Sequence, residues 1–201
     1  MAPDERTPLE LPMLAARPER GDAAMNRLRI LAAARSLLAE RGPAGLSMDA
    51  VAAAAGVGKG TVFRRFGDRA GLMEALVSDY MQGFQDAFLS GPPPLGPGAD
   101  PRERLETFIV ELLTLQRDHL PLALAAGTTI AARDRVYGAL LLHARTLIRE
   151  IHPTIDPDVT AAMLLGAIAP PVLDRMPDAA RAELGVILAS ARALLRGLIS
   201  G

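Results

Sequence analysis

The chain has 201 residues, half of them hydrophobic, but only five Phe, two Tyr and no Trp. A core drawn from Ala, Leu, Ile, Val and Met favours helices packed on helices, and the length is enough to bury one. The absence of cysteine excludes disulfide scaffolds, thiolate zinc sites, iron–sulfur clusters and cysteine nucleophiles. The formal net charge of −1 conceals an asymmetry: residues 1–70 carry eleven Lys+Arg against eight Asp+Glu, and residues 71–201 carry eleven against fifteen. Within residues 20–70 the ratio is nine to four. A basic head therefore precedes an acidic body.

Residues 1–22 hold four prolines and unpatterned charges, and read as a disordered arm. They lack the apolar stretch of a secretion signal, so a cytoplasmic protein is expected. The longest uncharged apolar runs, residues 120–132 and 159–173, are shorter than the roughly 18 residues of a membrane span, so no membrane association is expected. Leu28, Leu31, Ala34, Leu37 and Leu38 then recur at helical spacing up to Arg41, where Gly42-Pro43 ends the first helix.

Ser47 is a suitable N-cap for a short second helix that Gly56 terminates, and Asp49 suits its positive end. A third short helix, residues 61–66, sets Val62, Phe63 and Phe66 among Lys59, Arg64 and Arg65. A fourth covers residues 70–89. Five prolines and three glycines in residues 91–101 make a loop. Helical spacing returns over residues 102–118, 122–126, 132–151, 157–169 and 178–199, with Pro121, Gly127, His152-Pro153 and the stretch from Pro170-Pro171 to Pro177 as separators. The expected organisation is an arm (1–22), a helix-turn-helix domain with its connecting helix (23–89), a Pro/Gly linker (90–101) and a helical second domain (102–201). The fold class is all-α.

The glycines of GVGKGT, Gly56 to Thr61, invite comparison with a phosphate-binding loop. A Walker loop fails, because Ala53 stands where its first glycine belongs and Gly60 separates Lys59 from Thr61. A dinucleotide fingerprint fails too, since an Ala-rich helix precedes the glycines instead of a strand. A helix-turn-helix fits: Ala52 to Ala55 allow close helix approach, Gly56 makes the turn, and Gly58 and Gly60 let backbone come near a phosphate chain.

The segment AAARSLLAERGPAGLSMDAVAAAAGVGKGTVFRRFGDRAGLMEAL resembles the N-terminal DNA-binding domain of TetR-type (tetracycline-repressor-like) transcriptional regulators, over residues 27–77. Its most specific part is AGVGKGTVFRRFGDRAGL. Here Gly58 stands for the family's common Ser, Phe63 for Tyr, Arg65 for His and Arg69 for Lys, so Phe63 lacks a hydroxyl that could bond phosphate while the cationic character is kept. The resemblance implies that Ser47 bonds phosphate as well as capping its helix. It places Lys59, Gly60 and Thr61 at the start of the recognition helix, Phe63 against backbone or a thymine methyl, Arg64 and Arg65 facing DNA, and Arg69 on phosphate. The bland readings are a plain cap for Ser47, core packing for Phe63, and solvated cations for Lys59, Arg64 and Arg65.

For the second domain the resemblance implies a small effector and a homodimer made by the last two helices. Met163, Leu184, Leu188, Ala191 and Leu195 are the interface candidates, against an intramolecular bundle. Pocket candidates are the polar groups on apolar faces, namely His119, Thr128, Thr129, Tyr137 and His143, with Met163. Only Phe108 and Tyr137 are aromatic beyond the linker, so an aliphatic pocket for a neutral or weakly acidic apolar molecule is expected rather than an aromatic cage. The three histidines lack metal-ligand spacing and no nucleophile motif is present, so no metal, cofactor or enzyme activity is expected. The expected function is a ligand-released repressor acting on a palindromic double-stranded operator. The other readings are an architectural DNA-binding protein without an effector and a helical enzyme.

Overall fold

The computed structural model describes the backbone of residues 18–126, 130–177 and 183–199, and side chains over the same residues except 18–22, 130–136, 184, 198 and 199. Helices α1 (Pro18–Arg41), α2 (Met48–Ala55), α3 (Lys59–Phe66) and α4 (Arg69–Ser90) come first, with a 3-10 turn at Pro43–Gly45. Then follow α5 (Pro101–Asp118), α6 (Leu120–Ala126), α7 (Ile130–Ile151), α8 (Pro157–Ala167), α9 (Pro170–Asp174) and α10 (Leu184–Ile199). The described residues contain no strand, and none of their helices is long and apolar enough to cross a membrane.

Local chemistry explains the head. The Ser47 hydroxyl accepts from the Ala50 N–H at 3.1 Å and starts α2. Gly56, at φ 63°, takes the left-handed turn that ends it. The Asp68 carboxylate accepts from the Gly71 N–H at 2.8 Å and starts α4. Ser47→Ala is expected to cost about 1 kcal/mol of stability, measurable by urea titration. Helix α1 begins five residues inside the expected arm, at Pro18. Proline fits the first helical turn, because its missing N–H would have no intrahelical partner there anyway.

Two further prolines that look like separators in the sequence open helices for the same reason. Pro121 is the second residue of α6, and Pro170 begins α9, a short helix absent from the periodicity.

Two apolar clusters form, and they interlock across the linker. The first joins Ile30, Leu31, Ala34 and Leu37 of α1 to Val51 of α2, Val62 and Phe66 of α3, and Leu72, Met73 and Leu76 of α4. Leu122 and Ala126 of α6 also belong to it, although they lie far beyond the Pro/Gly loop. The second cluster contains Phe84 and Phe88 from the far half of α4, with Leu105, Phe108, Ile109, Leu112 and Leu113 of α5, Leu140, Ala144, Leu147 and Ile148 of α7, and Ile187 and Leu195 of α10. Helix α4 thus serves both cores, and α6 returns the body to the head. Leu122 is 1 % exposed, so Leu122→Ala is expected to cost about 2–5 kcal/mol, read as a lower Tm.

Candidate functional site

The head presents α3 on its surface. Val62 and Phe66 are buried, so helical geometry turns Gly60, Thr61 and Arg64 outward, with Lys59, Phe63 and Arg65 flanking them. Phe63 is 40 % exposed, an unusual position for a ring that core packing would have claimed. Arg64 and Arg65 are exposed and have no ion-pair partner among the described residues. An added Cβ at Gly58 or Gly60 would meet nothing within 4 Å, so the fold itself does not require glycine at either place.

Lys59 is held differently. Its Nζ lies 2.7 Å from Asp49 Oδ1 on α2 and 5.6 Å from the Phe63 ring centroid. This exposed pair contributes at most about 1 kcal/mol, yet it points the ammonium along the outer surface of α2 and α3. Arg69 is also committed within the chain: Nε donates to the Leu46 carbonyl at 2.7 Å and a terminal nitrogen donates to the Pro43 carbonyl at 2.5 Å. Those bonds tie the start of α4 to the turn before α2, a clamp that the expected phosphate role did not include. Arg29 does the same on the other side, donating to the Ala55 carbonyl at 2.9 Å. Neither clamp has a sequence signature, because a carbonyl acceptor can belong to any residue.

The pocket candidates do not converge. Thr128 and Thr129 lie outside the described residues. Tyr137 is 37 % exposed, and Met163, at 71 %, lies on the surface rather than in a buried pocket. His119 ends α5 and stacks on Tyr80 of α4, with ring centroids 3.7 Å apart. Burial there lowers the His119 pKa, a nearby Asp118 opposing it, and raises that of Tyr80.

Among the described candidates, His143 alone enters the second core. Its ring is stacked 4.4 Å from Phe88 and lies 4.8 Å from Phe108, and Phe84 packs on both phenyl rings at 5.4–5.5 Å. Aromatic rings therefore gather in the body although only Phe108 and Tyr137 lie beyond the linker: α4 carries Phe84 and Phe88 past the head and into it. Chain position relative to the linker was the wrong criterion, because a helix of 22 residues spans about 33 Å.

Burial, assisted by the Arg104 charge, pushes the His143 pKa down to about 4. The unfolded chain takes up a proton near pH 6.5 while the folded chain does not, so stability falls as pH drops from about 6.5 to about 4 and levels below that. The contribution lost is on the order of 3 kcal/mol. Denaturant titrations at pH 7.5 and pH 5 on wild type and His143→Phe should show a smaller pH dependence in the variant.

The interface candidates separate into two groups. Leu195 is 1 % exposed in the second core, and Leu188 and Ala191 pack against it. Leu195 faces its own bundle and is corrected as a seam residue, whereas Leu188 and Ala191 are only partly buried; the side chain of Leu184 lies outside the described residues. The last helix is apolar on more than one side, and Ile187, Ala191 and Leu195, four residues apart, form its inward row. Its outward apolar residues are Val186, Ala193 and Leu194, while α8 exposes Val159, Ala162 and Met163.

A capped helix, a left-handed turn and a short basic helix define a helix-turn-helix protein. Residues 30–76 match the family model of bacterial regulatory proteins of the tetR family. Over 85–90 % of its length the chain also has the fold of solved regulators of that family. A TetR-family transcriptional regulator from Pectobacterium atrosepticum is 24 % identical, with a TM-score of 0.69 over 90 % of this chain and 98 % of that one. A regulator of the TetR/AcrR family from Thermobifida fusca is 20 % identical, with a TM-score of 0.64 over 85 % and 96 %. FadR from Bacillus subtilis, solved with stearoyl-CoA, is 20 % identical, with a TM-score of 0.58 over 87 % and 98 %. No curated protein matches the chain. Residues 30–76 thus carry the DNA-binding head of the tetR family, on a chain with the fold of solved regulators that share it.

Proposed function

We propose that the protein is a ligand-released repressor that binds a palindromic operator as a homodimer. The carrying observation is the outer face of α3, where Arg64 and Arg65 are exposed, with no ion-pair partner among the described residues, beside two glycines that the described packing does not need. Free guanidinium groups and accessible backbone suit phosphates and base edges. The assigned DNA contacts are Ser47, Lys59, Gly60, Thr61, Phe63, Arg64 and Arg65, with Arg69 as a clamp whose remaining donors reach the same phosphate chain. The head is residues 23–89 and the body residues 102–201, joined by the loop between them.

Dimerisation is favoured because one short helix reads too few base pairs to be selective, and two-fold symmetry doubles the site. The exposed apolar residues of α8 and α10 are the surface assigned to it. A ligand response is favoured by the interlocked cores, since any change around Phe84 and Phe88 is carried by α4 into the head. A related fold holding stearoyl-CoA supports an apolar ligand.

Footprinting of the DNA flanking the gene should show a two-fold symmetric protected site. A non-symmetric footprint spread without sequence preference would favour an architectural protein instead. Gly60→Ala provides a second check. The variant should fold with undiminished stability, since alanine is the better helix former and the space is open, yet bind the operator more weakly because the added methyl stands between backbone and phosphate. Unchanged affinity would remove Gly60 from the interface.

A further inference from the structure

Arg104 is one of four residues, with Gln116, His143 and His152, whose buried polar atoms lack a partner among the described residues. It lies on α5 one turn before Phe108, half-buried, and its Nε is inaccessible and without a hydrogen-bond partner. A terminal nitrogen makes a long bond, 3.5 Å, to the Phe88 carbonyl. No carboxylate pairs with it among the described residues. His143 is 9 % exposed, stacks on the same Phe88, and also has a buried, partnerless atom, Nε2. A guanidinium Nε and an imidazole Nε2, both on residues that touch Phe88, thus lack an acceptor among the described residues. Native proteins keep few such groups, and a desolvated, unpaired guanidinium is costly.

We propose that this is where the effector is recognised, and that the effector is a monocarboxylic acid with an apolar body. The carboxylate accepts from Arg104 and from the Nε2–H tautomer of neutral His143, and the apolar part packs against Phe84, Phe88 and Phe108. A carboxylate is acceptor-only and matches the planar guanidinium fork. A neutral alcohol leaves the cation unpaired, and an amine adds a second positive charge beside it. The inference rests on the ligand-responsive reading of the protein and specifies the chemistry of its ligand.

The test uses the full-length protein with octanoate, decanoate and phenylacetate, and the matching alcohols octanol, decanol and phenylethanol. Calorimetry should show saturable binding of at least one acid, about tenfold or more tighter than its alcohol. Arg104→Gln should erase that preference, while Arg104→Lys keeps part of it by retaining the charge without the fork. Without ligand, Arg104→Met should be as stable as wild type or more so, as expected for a group kept for binding. A marked fall in its Tm would overturn the assignment, because Arg104 would then be satisfied by the fold. The assignment also fails if none of the acids binds, if the alcohols bind equally, or if the acid preference survives in Arg104→Gln. Operator release is read separately: acid binding that leaves DNA affinity unchanged upholds the site and contradicts the ligand-released reading.

Discussion

Arg64→Ala and Arg65→Ala are each expected to weaken operator binding roughly tenfold or more at about 0.1 M salt while leaving the protein folded. Both side chains are exposed, and neither contributes to the first core, so truncation removes no packing. In a dimer each substitution occurs twice. If each arginine neutralises one phosphate, the log–log salt dependence should flatten by about 1.8 for either variant, because each phosphate releases close to one counterion. An arginine on a guanine edge would give a different result, with loss of discrimination at one base pair and less change in salt dependence. Wild-type affinity together with an unchanged salt slope in both variants would show that α3 is not the docking helix.

Leu194→Glu and Leu195→Glu should behave oppositely although they are neighbours. Leu194 is 69 % exposed and Leu195 is 1 % exposed. A carboxylate at 195 would be buried among Leu and Phe side chains, at a cost of several kcal/mol that a domain of this size can hardly sustain. That variant should misfold or lose its cooperative melting transition. A carboxylate at 194 stays in water in the monomer and is penalised only where a second copy covers it. Light scattering should then report a folded monomer, with operator affinity reduced on the order of a hundredfold because the two heads no longer bind as one unit. Met163→Glu tests the exposed face of α8 in the same way. A Leu194→Glu protein that remains dimeric would move the interface away from α10.

The head could be followed closely from sequence because its determinants are local. Ser47, Gly56 and Asp68 act within one turn of their own positions, and a cap or a left-handed glycine has the same chemistry in any fold. The body lacks such markers. Its helices announce an apolar face but not the neighbour that covers it, so nothing in the periodicity says that Leu122 packs into the head or that Leu195 turns inward while Leu194 turns out. Pro121 and Pro170 illustrate a related ambiguity, since proline both ends one helix and begins the next.

The ring cluster was hidden for a third reason. Counting aromatic residues on each side of the linker ignores how far a long helix reaches. The four-residue spacing of Arg104, Phe108 and Leu112, which sets a cation in line with buried apolar residues, was the available signal for the Arg104 site.

The proposed function requires that the basic face of α3 reads a particular DNA sequence. Fluorescence anisotropy with a duplex from the region upstream of its own gene, and with a shuffled duplex of equal length and composition, tests it most directly. Binding to the native duplex is expected to be at least a thousandfold tighter than to the shuffled one, with affinity for both falling steeply as salt rises. Equal affinity for the two duplexes, when footprinting finds no protected site elsewhere in the flanking DNA, would contradict it.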